Sequence, residues 1–403
     1  MYSMKFLNLL LFIVSSVPLM GQQFTHYTES DGLVNNFVNC LSIDDNQSVW
    51  FGTNRGLAMF NGEDWMSDTT HLINNYVTSV YAASSGDIWV GTDDGISVLS
   101  GSTWSSFTEN DGLGDNRISS INEDENGLIW VGERAGVSVY NGTSWTSYGT
   151  SDGLPFGGIK YVTFDSNNDA WLASSLKGLI HFNGVDFTIY DTSSGLISKN
   201  ITSIAIDEND TKWVGTSKGI SVLDQNNEVL AQHTILLTLP EPDTLNPVVD
   251  VKLDSQGNVW AGIYVDYLVS VGGVVAWDGS LWTEFTDENA LVGPGVRALA
   301  VDVDDNIWVA TSTGVTKMTN PTLTVSTLET NLESVLYPNP SYNSINLELA
   351  ASCSLGIFNS LGQLVLDLDL EKGNNTIDVS SLVEGIYFVS IENLYSQKLI
   401  IKH

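Results

Sequence analysis

The sequence predicts an all-β chain: a seven-bladed β-propeller over residues 22–320 and a small immunoglobulin-like β-sandwich over 336–403. Three observations carry the prediction. A tryptophan-led phrase occurs seven times, at Trp50, Trp89, Trp130, Trp171, Trp213, Trp260 and Trp308, with steps of 39, 41, 41, 42, 47 and 48 residues. That period, in a sequence of short β-prone runs, marks a propeller blade. Between the anchors lie turn residues at spacings that cut each repeat into four strands. After Met318 the repeat stops and six short alternating strands follow.

The chain opens on a targeting segment, residues 1–21. Lys5 provides a positive start, and Phe6 to Val14 form an apolar run too short to span a bilayer. Cleavage is expected near Gly21, with no cysteine after it to take a lipid anchor.

The second repeat spells out a blade. Tyr76 to Ala82 is the inner strand a, and Ser84-Ser85-Gly86 turns the chain. Ile88 to Thr92 is strand b with its anchor, Asp93-Asp94-Gly95 turns again, and Ile96 to Leu99 is strand c. Gly101-Ser102 leads into the outer strand d, Trp104 to Thr108. Twelve residues before each anchor stands Val38, Val77, Ile118, Ile159, Ile201, Val248 or Val296; nine before it stands another aliphatic. Such residues suit a strand packed between neighbouring sheets. The tryptophans head strand b, so they are expected in the core rather than under a ligand. The glycine after most anchors leaves room for close sheet approach.

Six residues before the anchor, six repeats carry an aspartate (Asp44, Asp124, Asp165, Asp207, Asp254, Asp302), and the second carries Ala83. An aspartate there can accept hydrogen bonds from its own turn. Asp302-Val303-Asp304-Asp305-Asn306 alternates oxygen ligands as a calcium loop does, but the glycine and terminal glutamate of an EF-hand loop are missing. No metal and no cofactor is expected.

The last repeat supplies strands a to c and no d. Gln23 to Thr28 matches outer strands such as Trp282-Thr283-Glu284-Phe285-Thr286 and precedes the same Asp-Gly-Leu turn, Asp31-Gly32-Leu33, seen at Asp111 and Asp152. The first strand is therefore expected to complete the last blade and remove an open edge.

These residues carry a resemblance. The Asp-x-x-Gly-x-Ile-Trp-Val-Gly-Thr type phrase, the Gly-to-Asn-Gly phrases at 56–62, 136–142 and 178–184, and the Asp-Gly-Leu turns resemble the two-component regulator propeller family. Members usually form periplasmic sensors of hybrid histidine kinases. This chain has one propeller and no kinase, so kinase signalling is not carried over.

Residues 321–335 read as a linker. The segment after it resembles the type A C-terminal sorting domain of type IX secretion substrates. The matching residues are Tyr337, Pro338, Asn339 and Pro340, then Gly362, Gly385, Tyr387, Lys398 and Lys402 within their local phrases. The resemblance implies the type IX secretion machinery as a partner, with the protein secreted or held on the outer surface of a Gram-negative bacterium.

Composition excludes some functions. With 48 acidic and 15 basic residues the formal net charge is -33, which disfavours nucleic acid as a partner. No stretch outside the leader reaches the roughly 18 apolar residues of a membrane helix. Cys40 and Cys353 fall in different domains and are not expected to pair.

No catalytic constellation converges. The histidines (His26, His71, His181, His233, His403) scatter over the blade map, and no nucleophile elbow, zinc-protease or phosphate-loop phrase occurs. One distribution stands out. Of the 11 basic residues in the propeller, Arg55, Arg134, Lys177 and Lys218 fall in b–c turns, and Arg117 and Lys199 in d–a connections. Lys160 and Arg297 sit early on strand a, with Lys252 deeper. All eight then lie at one face, around the channel mouth, as a candidate rim for an anionic polysaccharide. The expected function is a secreted or surface binding module for such a glycan or for a surface protein; the alternative is a lyase-type enzyme acting on polysaccharide.

Overall fold

The computed structural model describes residues 23–237, 246–266, 270–319, 337–349, 353–359, 364–391 and 395–402. The leader and the linker lie outside them. The chain divides into two compact units, Met1–Leu323 and Thr324–His403.

The first unit is a seven-bladed propeller. Its seven antiparallel sheets each hold four strands in the order a-b-c-d. The second blade runs Val77–Ala82, Ile88–Thr92, Gly95–Ser100 and Thr103–Phe107. The seventh is built from Val296–Val301, Ile307–Thr311 and Gly314–Thr319, and its outer strand is Gln23–Tyr27 from the other end of the chain. Gln23 pairs with Thr319 and Tyr27 with Val315. The sheet edge left by the truncated last repeat is thereby covered.

The core lies between the blades. Among the described residues, seven buried apolar clusters occur in the propeller, one for each pair of neighbouring blades. Trp89, Trp130, Trp171, Trp260 and Trp308 are buried in them, whereas Trp50 and Trp213 are half-buried. The glycine after the anchor is needed for the close approach. A Cβ on Gly91 would lie 2.5 Å from Ile118 Cγ2 of the next blade, and one on Gly215 would lie 2.8 Å from Val248 Cγ1.

The aspartate before the anchor does more than hold its turn. Asp124 Oδ1 accepts from the backbone N–H of Asn126 and Leu128, and Oδ2 accepts from the indole Nε1 of Trp130 at 3.1 Å. Asp44, Asp165, Asp254 and Asp302 repeat the arrangement with their own tryptophans. A buried indole N–H needs an acceptor, so a six-residue spacing locks turn and core together. Asp302 also lies 3.5 Å from Lys317 Nζ, and the carboxylates of Asp302 and Asp305 both accept from donors of the chain. In the second blade, where Ala83 replaces the aspartate, Ser84 N and Oγ donate to Glu123 of the third blade, as Ser166 and Ser255 donate to Asp210 and Asp305 of the blades that follow theirs.

The Asp-Gly-Leu turns close the other face. Asp31 accepts from Thr28 N, and Asp111 from Thr108 N. Gly112 adopts a left-handed φ of 114° that a side chain would strain. Leu33, Leu113 and Leu154 then drop into the gap between blades.

The second unit is a β-sandwich of two sheets. One pairs Ser344–Leu349 with Gly373–Asp378; the other orders Leu364–Leu370, Cys353–Asn359, Gly385–Ile391 and Tyr395–Ile401. Alternate residues face inward, as period-2 strands require: Ile345 and Leu347, Leu355 and Ile357, Tyr387 and Val389, Leu399 and Ile401 are buried together.

Candidate functional site

Strand a of every blade lines the central channel, which encloses about 440 Å³. Each of these strands carries a β-bulge at the same place. The register slips between Val38 and Cys40, Val77 and Ser79, Ile118 and Ser120, Ile159 and Tyr161, Ile201 and Ser203, Val248 and Asp250, and Val296 and Ala298. The skipped residues are Asn39, Thr78, Ser119, Lys160, Thr202, Val249 and Arg297, and all seven line the cavity. Bulges re-aim side chains at barrel rims and sites; here they set one residue per blade in a ring.

The strands are stitched around that ring. Asn39 Nδ2 donates to Val77 O, and Thr78 Oγ1 to Ile118 O, each on the following blade. One residue further, Ser79 Oγ accepts from Ile121 N, Ser203 Oγ from Val251 N, and Asp250 Oδ2 from Leu299 N. The ring is thus held by hydrogen bonds as well as by apolar packing.

Charge in the lumen is inverted relative to the chain. The lining holds Lys160, Lys252 and Arg297 against one carboxylate, Asp250. Lys252 Nζ lies 2.8 Å from Asp250 Oδ1 and 3.1 Å from Tyr161 Oη. Burial alone would lower its pKa, but the Asp250 charge outweighs that and holds it above the ordinary lysine value. Lys160 reaches solvent at the lip, yet the surrounding walls strip part of its hydration and lower its pKa. Arg297 lies over the Phe37 ring at 5.2 Å. Among the described residues, neither Lys160 nor Arg297 has a carboxylate within ion-pair distance.

The other six cations singled out from sequence are exposed. Arg55, Arg134, Lys177 and Lys218 stand in b–c turns, with Arg117 and Lys199 just before strand a. The structure brings Lys160 and Arg297 into one cavity lining and leaves these six on the turns outside it.

Two features escaped the sequence reading. Glu133 ends strand b where Thr53, Thr92, Thr216 and Thr311 end theirs, and it is 1% exposed. Burial pushes its pKa up to about 7, and the Asp115 charge adds to this; Ser138 and the backbone at Gly114 and Asp115 pull the other way. The second is a group of ligand-type atoms on Asp165, Asp169 and His181, all within 4.8 Å of one another. The register that places His181 opposite Trp171 brings it to Asp169 at 2.9 Å. Asp165 is already the staple of Trp171, and Lys212 Nζ sits 4.8 Å from the centre of that same ring.

In the sandwich, the exposed segment Tyr337-Pro338-Asn339-Pro340 is tied to two strands. Tyr337 exchanges backbone hydrogen bonds with Asn346, and Asn339 Oδ1 accepts from Ile400 N at 2.9 Å. Gly385 opens a strand in which Tyr387 is buried, its hydroxyl donating to Val383 O. Lys398 lies on the last strand and Lys402 just beyond it, exposed. Gly362 falls outside the described residues.

Comparison with known families agrees with both units. Residues 335–402 match the secretion system C-terminal sorting domain. Residues 32–55, 71–94 and 112–133 match the two component regulator propeller. The chain carries two-component regulator propeller repeats and a secretion-system C-terminal sorting domain. The sorting domain marks the protein for the type IX machinery and for the cell surface or the outside. Among the described residues, no helix is long and apolar enough to cross a membrane.

Solved structures share the propeller fold. The extracellular domain of a B. thetaiotaomicron protein described as a hybrid two component system superposes with a TM-score of 0.62 at 17% identity, over 94% of this chain and 55% of its own. PorZ, an essential surface component of the type-IX secretion system of Porphyromonas gingivalis, gives 0.57 at 17%, over 92% of this chain and 60% of its own. Virginiamycin B lyase from Staphylococcus aureus gives 0.60 at 14%, over 74% of this chain and 99% of its own. The chain thus spans a little over half of the first two. No curated protein sequence matches it.

The sorting assignment has a direct test. The chain truncated before residue 336 is expected to accumulate in the periplasm, while the full chain reaches the surface or medium. Fractionation and immunoblotting read the difference, and efficient release of the truncated form would contradict the assignment.

Proposed function

We propose that the protein is an exported binding module whose channel-mouth face takes an anionic polysaccharide. One observation carries the reading. In a chain with 48 acidic and 15 basic residues, the channel lining holds three cations to one carboxylate. A solvated scatter of charge would give the opposite ratio. Lys160 and Arg297 form the inner part of the face, and Arg55, Arg117, Arg134, Lys177, Lys199 and Lys218 surround it on the turns. Against a field set by net charge -33, a local cationic patch selects a polyanion by charge and rejects neutral glycans.

The test is binding of acidic polysaccharides to the purified protein at rising salt. Affinity is expected to fall steeply between about 50 and 500 mM salt, since screening shortens the reach of exposed charges. Lys160→Ala and Arg297→Ala are each expected to weaken binding about tenfold, the scale of one charge-assisted contact. Binding that is indifferent to salt, or absent for every acidic glycan tried, would remove the reading. Turnover of the polysaccharide would transfer it to the enzymatic alternative.

A further inference from the structure

The channel has two chemically distinct zones. At the lip, the bulged residues Lys160 and Arg297 belong to the fourth and seventh blades, three apart on a ring of seven and so nearly across from each other. Both are uncompensated among the described residues. Below them the charge is neutral, because Asp250 holds Lys252 in a closed pair. The remaining lining there includes the hydroxyl and amide groups of Ser42, Tyr81 and Asn122. A cavity of about 440 Å³ sits at the lower end of small-ligand sites. It is enclosed on all sides by strands, so a polymer cannot lie through its wall.

We infer that the lumen takes the terminal residue of an acidic glycan end-on, as a single uronic acid whose carboxylate is held at the lip between Lys160 and Arg297. This rests on the polyanion reading above and sharpens it: recognition is of the chain end, not of internal residues lying across the rim. The carboxylate meets the two free cations, where a planar guanidinium and a point charge both favour it. The sugar hydroxyls meet the neutral hydroxyl-lined wall below, where a second charge would find no counter-ion. A neutral sugar lacks the first contact, and a phosphate-rich polymer could not follow the ring inward. The six outer cations then add avidity for the following residues of a polymer, not specificity for its end.

The full mature chain is titrated with polygalacturonate, D-galacturonate and D-galactose. Galacturonate is expected to bind and to displace the polymer competitively, and galactose to do neither. Lys160→Gln and Arg297→Gln should each weaken galacturonate at least tenfold, whereas Lys177→Gln and Lys218→Gln should leave it within twofold and weaken only the polymer. Ser119 is exposed on the bulge ring, so Ser119→Trp should fill the lip without changing charge, abolish galacturonate binding and leave the melting temperature unchanged. If the polymer binds while galacturonate never competes, the end-on inference fails and the rim reading survives. The same holds if Ser119→Trp binds galacturonate as the wild type does. If neither sugar acid nor polymer binds, both readings fail together.

Discussion

Deletion of residues 23 to 28 should lower the unfolding midpoint of the propeller by about 10 °C. The strand Gln23–Tyr27 supplies the whole outer edge of the seventh blade. Without it, the strand Gly314–Thr319 has an unpaired edge, and two aromatic side chains leave the core. Phe24 packs against the cluster between the sixth and seventh blades, around Trp260 and Met318. Tyr27 stacks on Trp308 at 5.8 Å and meets Phe60 and Trp65 of the first blade. It therefore bridges the seam where the ring closes. Losing half-buried aromatics of this kind costs about 2 to 3 kcal/mol each, and the ladder adds to that. A total of about 6 kcal/mol corresponds to roughly 10 °C for a domain of about 300 residues. Calorimetry of the deleted and full proteins measures it, with Tyr27→Ala as a milder variant expected to lose about 2 kcal/mol. Equal midpoints for all three would mean that the seam is held without this strand. The exposed edge should also make the deleted protein prone to self-association, which light scattering would register.

The ring closure was legible because it depends on residue type. Gln23 to Thr28 had to look like an outer strand, and the missing partner had to be at the other end. The same holds for the blades, where period, turn residues and β-branched runs all point one way. The aspartates at minus six were half legible. Their turn role follows from chemistry near in sequence, but the bond from Asp124 to the Trp130 indole depends on how strand b returns over the turn. The bulge ring was not legible at all. A bulge is a slip in hydrogen-bond register, and it places no demand on the side chain it re-aims. Six of the seven, Asn39, Thr78, Ser119, Lys160, Thr202 and Arg297, are polar and Val249 is not; polarity at one strand position does not mark a slip in register. What sequence placed early on strand a, Lys160 and Arg297, the structure brings to one cavity through that slip. The stitches one residue on could have been suspected, since Ser79, Ser203 and Asp250 are hydrogen-bonding residues in otherwise aliphatic strands.

Glu133 went unremarked in the sequence although it departs from the threonine of four other blades, and its consequence is a pH dependence. In those four blades the threonine hydroxyl serves its own turn, as where Thr92 Oγ1 donates to Gly95 O and accepts from Asp94 N; the fourth blade has Ser174 and the sixth Ile263. Glu133 instead buries a carboxyl beside Ser138 and the connection at Gly114 and Asp115, and Oε1 finds no partner there. Its folded-state pKa of about 7 stands above the ordinary value of 4.5. A carboxyl raised in this way favours folding fully below about pH 4.5, and that contribution is lost as pH climbs through 7. Wild type and Glu133→Gln should therefore be nearly equal in stability at pH 5. At pH 8 the glutamine variant should be more stable by about 2 to 3 kcal/mol, the amount linked to a shift of that size. Glu133→Thr, which restores the turn threonine of four other blades, should remove the same pH dependence. Urea denaturation of the three proteins at half-unit pH steps measures the differences. Other groups titrate over this range, but they are common to all three and cancel in the comparison. A difference between wild type and Glu133→Gln that stays flat from pH 5 to 8 would mean that the carboxyl is already ionised in the fold, or finds solvent through a local opening of the Gly114–Asp115 connection. In that case hydrogen exchange at those two amides should rise with pH more steeply in the wild type than in the glutamine variant.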